Sequence, residues 1–210
     1  MMLAATAACS SIPLDQAPVG PPPLSVGDRW TTRIVDLWKN EVIETFEHTV
    51  ASIDGNSVLL ERKTLSHAGH PPGPGTDRAD GATWTVLAPG IVEGREVTLS
   101  FPLFIGKTWD YEYKTRDASG DTTLQSRSAR VEAWELVTVP AGTFKALKVV
   151  VDGRWRASIR DAVYTGKVNE TLWYAPDAKH WVKHEYTDRG HEGRITEQRR
   201  YDLMQVELQK

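Results

Sequence analysis

From Arg29 to the C-terminus, apolar and polar residues alternate in short runs, and no segment of a dozen residues carries a helical apolar stripe. Trp109, Tyr111 and Tyr113 alternate with Asp110, Glu112 and Lys114, so one face of that run is aromatic and the other charged, as in a half-buried antiparallel strand. The same counting puts Trp30, Ile34 and Trp38 on one face of an earlier run, and Leu147, Val149 and Val151 on one face of a later one. Turn residues punctuate the pattern at Lys39-Asn40, Asp54-Gly55-Asn56, Ala88-Pro89-Gly90, Asp117–Asp121, Pro140–Thr143, Pro176–Lys179 and Arg189–Gly193. Strands are therefore expected from Arg29 to about 38, at 41–53, 57–65, 82–88 and 91–101, from Trp109 onward, and near 122–139, 144–155, 161–175, 180–188 and 194–208. His67–Gly81, with three Pro and four Gly, reads as a mobile loop. In the last run Tyr201 and Leu203 fall on one face while Met204, Val206 and Leu208 fall on the other, which predicts a β-bulge.

About eleven antiparallel strands cannot stay flat, because sheet twist curls a wide sheet over. The expected fold is all-β: one large, strongly curved antiparallel sheet, a half-barrel or open barrel. A repeat divides it. Pro23-Leu24-Ser25-Val26-Gly27-Asp28-Arg29-Trp30 and Pro102-Leu103-Phe104-Ile105-Gly106-Lys107-Thr108-Trp109 share the pattern Pro-Leu-x-(Val/Ile)-Gly-x-x-Trp, and each opens a strand-like run. The domain is thus expected to span 26–208 and to be built from two related meanders, about 23–101 and 102–208.

Composition changes the picture at the N-terminus more than in the domain. The chain has 40% hydrophobic and 25% charged residues, which excludes wholesale disorder. Its net charge of -3 argues against a nucleic-acid partner. The only cysteine, Cys9, follows Leu3-Ala4-Ala5-Thr6-Ala7-Ala8 and precedes Ser10. This resembles the end of a bacterial lipoprotein signal, with residues 1–9 as its remnant and Cys9 as the lipidation site. The apolar stretch is short and lacks a basic start, which a start codon upstream of Met1 would explain. A lipid on Cys9 leaves no thiol for a disulfide, so stability must come from the sheet. Residues 10–25, with five prolines, read as an extended tether between the lipid and the domain.

Several segments together resemble an uncharacterised group of exported bacterial β proteins. Val137-Thr138-Val139-Pro140-Ala141-Gly142-Thr143-Phe144-Lys145-Ala146 is similar to its V-x-V-P-A-G-T-F-x-A turn, and Phe101–Trp109, Leu172–Pro176 and Trp181–Tyr186 are similar to other segments of it. The resemblance implies fold and export, and through the fold a distant similarity to the curved-sheet lipoprotein-localisation-factor carriers of the envelope.

Candidate chemistry is sparse. His180 and His184 would lie about 13 Å apart on one strand face at ~3.3 Å per residue, too far to share a metal, and read as rim-facing. His67 and His70 have no third ligand nearby. There is no Gly-x-Ser-x-Gly elbow and no Gly-rich phosphate loop. The pairs Asp110/Glu112 and Glu132/Glu135 fit solvated faces, with a glycan-directed hydrolase as a remote alternative. No metal, cofactor or catalytic residue is expected. The aromatic set Trp30, Ile34, Trp38, Trp109, Tyr111 and Tyr113 could line a shared concavity. If filled, it is the core of a binding or assembly protein that works through envelope protein partners. If partly open, it suits a carrier or sensor of a hydrophobic small molecule or lipid. Either way, the sequence predicts a non-enzymatic lipoprotein of the bacterial cell envelope, on the periplasmic face of the outer membrane.

Overall fold

The computed structural model describes residues 17–67, 75–80, 83–86, 90–160 and 162–210, without the side chains of 75–80 and 83–86. Cys9, residues 10–16 of the tether and His70 lie outside the described residues. Among the described residues there is no α-helix, only two short 3-10 turns, and no helix long and apolar enough to cross a membrane.

Among the described residues thirteen strands make one continuous antiparallel sheet. They are β1 (Arg29–Asp36), β2 (Glu41–Asp54), β3 (Ser57–His67), β4 (Gly75–Asp80), β5 (Thr83–Val86), β6 (Ile91–Gly94), β7 (Glu96–Ser100), β8 (Thr108–Arg116), β9 (Thr122–Val139), β10 (Gly142–Ile159), β11 (Ala162–Ala175), β12 (His180–Arg189) and β13 (Ile195–Glu207). Their spatial order is β6-β8-β9-β10-β11-β12-β13-β1-β2-β3-β4-β5-β7. The large antiparallel all-β sheet expected from the alternation is therefore present.

Two expectations need correcting. The segment His67–Gly81 is not wholly a loop: its prolines end by position 74, and Gly75–Asp80 is recruited as β4 by the free edge of β3, pairing Arg62 with Gly75 through Ser57 with Asp80. The run 91–101 is two strands, not one. β6 pairs with β8 and β7 pairs with β5, so the chain steps from one edge of the sheet to the other across Arg95. The sheet is not closed by a ladder there. Across this seam the Trp109 indole N–H donates to Val97 O at 3.0 Å.

The bulge expected in the last strand is present. Thr31 pairs with Gln205 and Thr32 with Leu203, so Met204 is the extra residue. Pairing of β13 with β1 joins the ends of the domain in the middle of the sheet. Val19 and Leu24, ahead of β1, are held too: Val19 exchanges both backbone hydrogen bonds with Leu103 at 2.8 Å, and both residues pack on the core. The core lies on the inner face and includes Trp30, Leu60, Leu99, Leu103, Leu147, Leu172 and Leu203, each fully buried.

Candidate functional site

The inner face changes character along its length. At one end the β1 ring of Trp30 is 0% exposed. Its indole N–H donates to Ala178 O at 2.7 Å, and its ring stacks on His180 with centroids 5.0 Å apart. His48 lies 6.2 Å from His180 and packs edge-on against Phe46. His180 is thus buried rather than rim-facing, contrary to the sequence expectation. A bulge at Val182, where Trp173 pairs with Lys183 but Tyr174 with Trp181, breaks the period-two count between His180 and His184. A count along the strand could not foresee it.

The middle of the interior is ionic. On β9, Arg127 falls in phase with buried Ala129 and Val131; on β11, Glu170 falls in phase with buried Val168 and Leu172. The Arg127 Nε donates to Glu170 Oε1 at 3.3 Å, and Arg127 Nη1 donates to the carbonyls of Ser126 and Arg154. His184 Nε2 lies 3.0 Å from Glu170 Oε2, and its ring stacks on Tyr201 at 4.9 Å. Gly153 makes room for this arrangement, because a Cβ there would sit 2.4 Å from Arg127 Cδ.

Burial by itself would raise the Glu170 pKa, but the hydrogen bond and charge of His184, with Arg127, outweigh it and hold the carboxyl below its usual range. Burial, reinforced by the negative charge of Glu170, pushes the Tyr111 phenol well up. Tyr113 and Tyr186 are raised too, chiefly by burial, with Glu96 and Asp188 respectively as the main charged neighbours. These phenols stay protonated, and the site holds an ionised carboxylate that is already paired.

The far end opens into a mouth of about 430 Å³ whose lining includes Trp155, Ala157, Ile159, Tyr164 and Asp188. Asp188 anchors its wall, accepting from the Trp155 indole at 2.9 Å and from Thr196 Oγ1 at 2.6 Å.

The six aromatic and aliphatic residues singled out from the sequence therefore separate. Trp30, Ile34 and Tyr113 are buried, while Trp109 and Tyr111 are half-buried. Tyr111 and Tyr113 stack at 6.4 Å beside the ionic cluster. Trp38 does not join them: it is 59% exposed. The reason is local. β1 ends at Asp36, whose carboxylate accepts from the backbone N–H of Trp38 at 2.8 Å and of Lys39 at 3.3 Å, turning the chain outward.

The carboxylate pairs sit where neutral donors or cations meet them. Asp110 and Glu112 accept from Ser128 and Ser126. Glu132 accepts from Arg130, and Glu135 accepts from the Trp173 indole at 2.7 Å. Among the described residues no group of three His, Cys, Asp or Glu side chains is arranged to hold a metal. The ionic cluster was missed from sequence, although one signal was there: a charged residue in phase with apolar ones on a strand facing the core.

No family model and no curated protein matches the chain. Two solved structures share its fold. One is a "putative lipoprotein" from Parabacteroides distasonis, with TM-score 0.63 and 16% identity over 91% of this chain and 100% of that one. The other is a "putative exported protein with YmcC-like fold" from Bacteroides fragilis, with TM-score 0.50 and 14% identity over 90% and 99%. At such identities the likeness concerns the fold alone.

Proposed function

We propose that this protein is a non-enzymatic lipoprotein of the bacterial cell envelope that works by binding partner proteins on its surface rather than by carrying a lipid inside. One observation carries the reading: the concavity is filled at one end and across its middle. Trp30, Leu147 and Leu172 close one end, and the Arg127–Glu170–His184 cluster crosses the middle, so a long acyl chain would have to displace a buried ion pair. The state of Glu170 also supports a non-catalytic role. A general acid or base needs a proton affinity near ambient pH and access to substrate, whereas this carboxylate is held ionised and paired. The likeness to the "putative lipoprotein" from Parabacteroides distasonis fits attachment through Cys9, and Ser10 after it fits delivery to the periplasmic face of the outer membrane.

Two experiments test this. The Cys9→Ser variant should leave the membrane fraction; its retention there would remove the anchor. Organic extraction of the purified protein followed by mass spectrometry should return no stoichiometric lipid. A stoichiometric lipid would favour the second reading, carriage of a hydrophobic small molecule. That reading draws on the mouth beside Trp155 and Tyr164, whose volume of about 430 Å³ suits a small ligand.

A further inference from the structure

Cations on the described strands mostly have carboxylate partners: Arg33 with Asp202, Arg62 with Glu44, Arg130 with Glu132, Lys183 with Glu185. One row on the outer face does not. Arg154 on β10 stands directly opposite Lys167 on β11, and Lys167 stands opposite Arg189 on β12. Arg156, two residues beyond Arg154, projects from the same face. Among the described residues none of these four side chains has a hydrogen bond or ion pair. Like charges directly opposite across a ladder destabilise it. Three stand in succession here, and none of them is paired with an acid.

The surroundings sharpen this. The four cations line a concavity of about 640 Å³, with Gly166, Gly190 and Gly193 in its wall. A Cβ at Gly166 would meet Arg189 O at 2.5 Å and the Trp155 ring at 2.3 Å, so glycine lets the inner-face Trp155 ring lie against the backbone between the cations. The nearest acidic row, Asp110 and Asp152 with Glu112, accepts from Ser128, Asn169 and Ser126 and borders the cations in the adjoining part of the groove without forming an ion pair with them. Glu192, at the edge, is paired with Arg194 at 3.8 Å.

We infer that the Arg154–Lys167–Arg189 row, with Arg156, is a binding site for a compact phosphate-bearing anion. Three strands at ~4.8 Å spacing spread the row over about 10 Å, which matches two adjoining phosphoryl groups better than one carboxylate. Guanidinium forks on both sides of a lysine suit phosphate oxygens. The acidic row alongside turns away a long polyanion. This inference does not depend on the partner-binding role.

The full chain carrying Cys9→Ser, so that no acyl chain contributes, is titrated with sodium pyrophosphate at constant ionic strength and followed by amide chemical shifts. Saturable shifts confined to β10–β12 around the row are expected. Combining Arg154→Gln, Lys167→Gln and Arg189→Gln should weaken binding at least tenfold while keeping or raising Tm, and Arg130→Gln, on the same face of β9, should leave binding unchanged. Flotation with phosphatidylcholine vesicles, with and without phosphatidic acid, distinguishes the source. Adhesion that needs phosphatidic acid and is lost in the triple variant assigns a lipid headgroup; pyrophosphate binding without adhesion assigns a soluble ligand. The inference is overturned if neither probe binds, if the shifts map elsewhere, or if Arg130→Gln weakens binding as much as the triple variant does.

Discussion

The two copies of the Pro-Leu-x-(Val/Ile)-Gly-x-x-Trp loop share a backbone and part company in their side chains. In the first, Gly27 N–H donates to Val50 O and Val50 N–H donates to Asp28 O; in the second, Gly106 and Lys107 hold Val131 in the same way, all at 2.9 Å. Gly27 and Gly106 have φ of 91° and 88°, a left-handed state that explains glycine at this point of the pattern. The registers continue in parallel, Trp30 opposite His48 and Trp109 opposite Ala129. Duplication thus extends from sequence to hydrogen bonding. The residue after the glycine, however, has changed sign. Asp28 is fully buried and accepts from Lys179 Nζ at 2.9 Å, Gln209 N at 2.7 Å and Ser25 N at 2.9 Å, so it ties the start of the domain to its C-terminus. Lys107 is partly exposed and donates to the carbonyls of Ser100 and Pro102, beside the open seam. One copy closes the interior, and the other dresses the seam.

If that division is right, the copies should respond unequally to the same change. Trp30→Ala, which empties a fully buried site, should cost about 3–5 kcal/mol, against roughly 1–2 kcal/mol for the half-buried Trp109. Urea unfolding of both variants measures the gap, and equal costs would mean that the two rings do equivalent work after all. Asp28→Ala should follow at about 3–5 kcal/mol, since it strands the Lys179 ammonium with little solvent around it. Lys107→Ala should cost about 1 kcal/mol, because water can replace it at the two carbonyls.

Acid should sharpen the contrast further. Glu170 has its pKa lowered in the folded state, so the stability it contributes is present at neutral pH and is lost as pH falls below the ordinary carboxylate range and through the lowered value. Tyr111 and Tyr113, on the strand opened by the second copy, lie against that cluster; Trp30 does not. Hydrogen exchange in β8 is therefore expected to quicken on acidification before exchange in β1 does. Glu170→Gln should remove most of the difference in acid sensitivity, at the cost of a less stable protein at neutral pH. Gly153→Ala, by pushing Arg127 off Glu170, should reproduce part of the same effect.

Features set by neighbouring residues were legible in the sequence. Asp117–Asp121 and Pro140–Thr143 carry their own turn chemistry and so mark a strand over 122–139, and β9 has those bounds. The Met204 bulge showed as a slip in phase. What depends on distant partners was not legible. β4 exists because β3 offers an edge, and the interior cluster joins Arg127 to Glu170 across 43 positions. Trp38 was misplaced because a single carboxylate, Asp36, ends the strand two residues earlier. The outer cation row was hidden because Arg154, Lys167 and Arg189 become neighbours only through the ladder.

The smallest effect is expected at a pair of equivalent positions where both copies expose an aliphatic side chain. Val26 is 58% exposed and Ile105 49%. Neither gives up much burial when changed to Ser, so each variant should stay within about 0.5 kcal/mol of the parent in urea unfolding. A larger loss at Ile105 alone would show that the seam loop is covered in solution, and sedimentation velocity would then reveal whether a second copy of the chain covers it. Equal and negligible losses would confine the difference between the copies to the residue after the glycine and to the tryptophan, where the buried charge and the filled interior already place it.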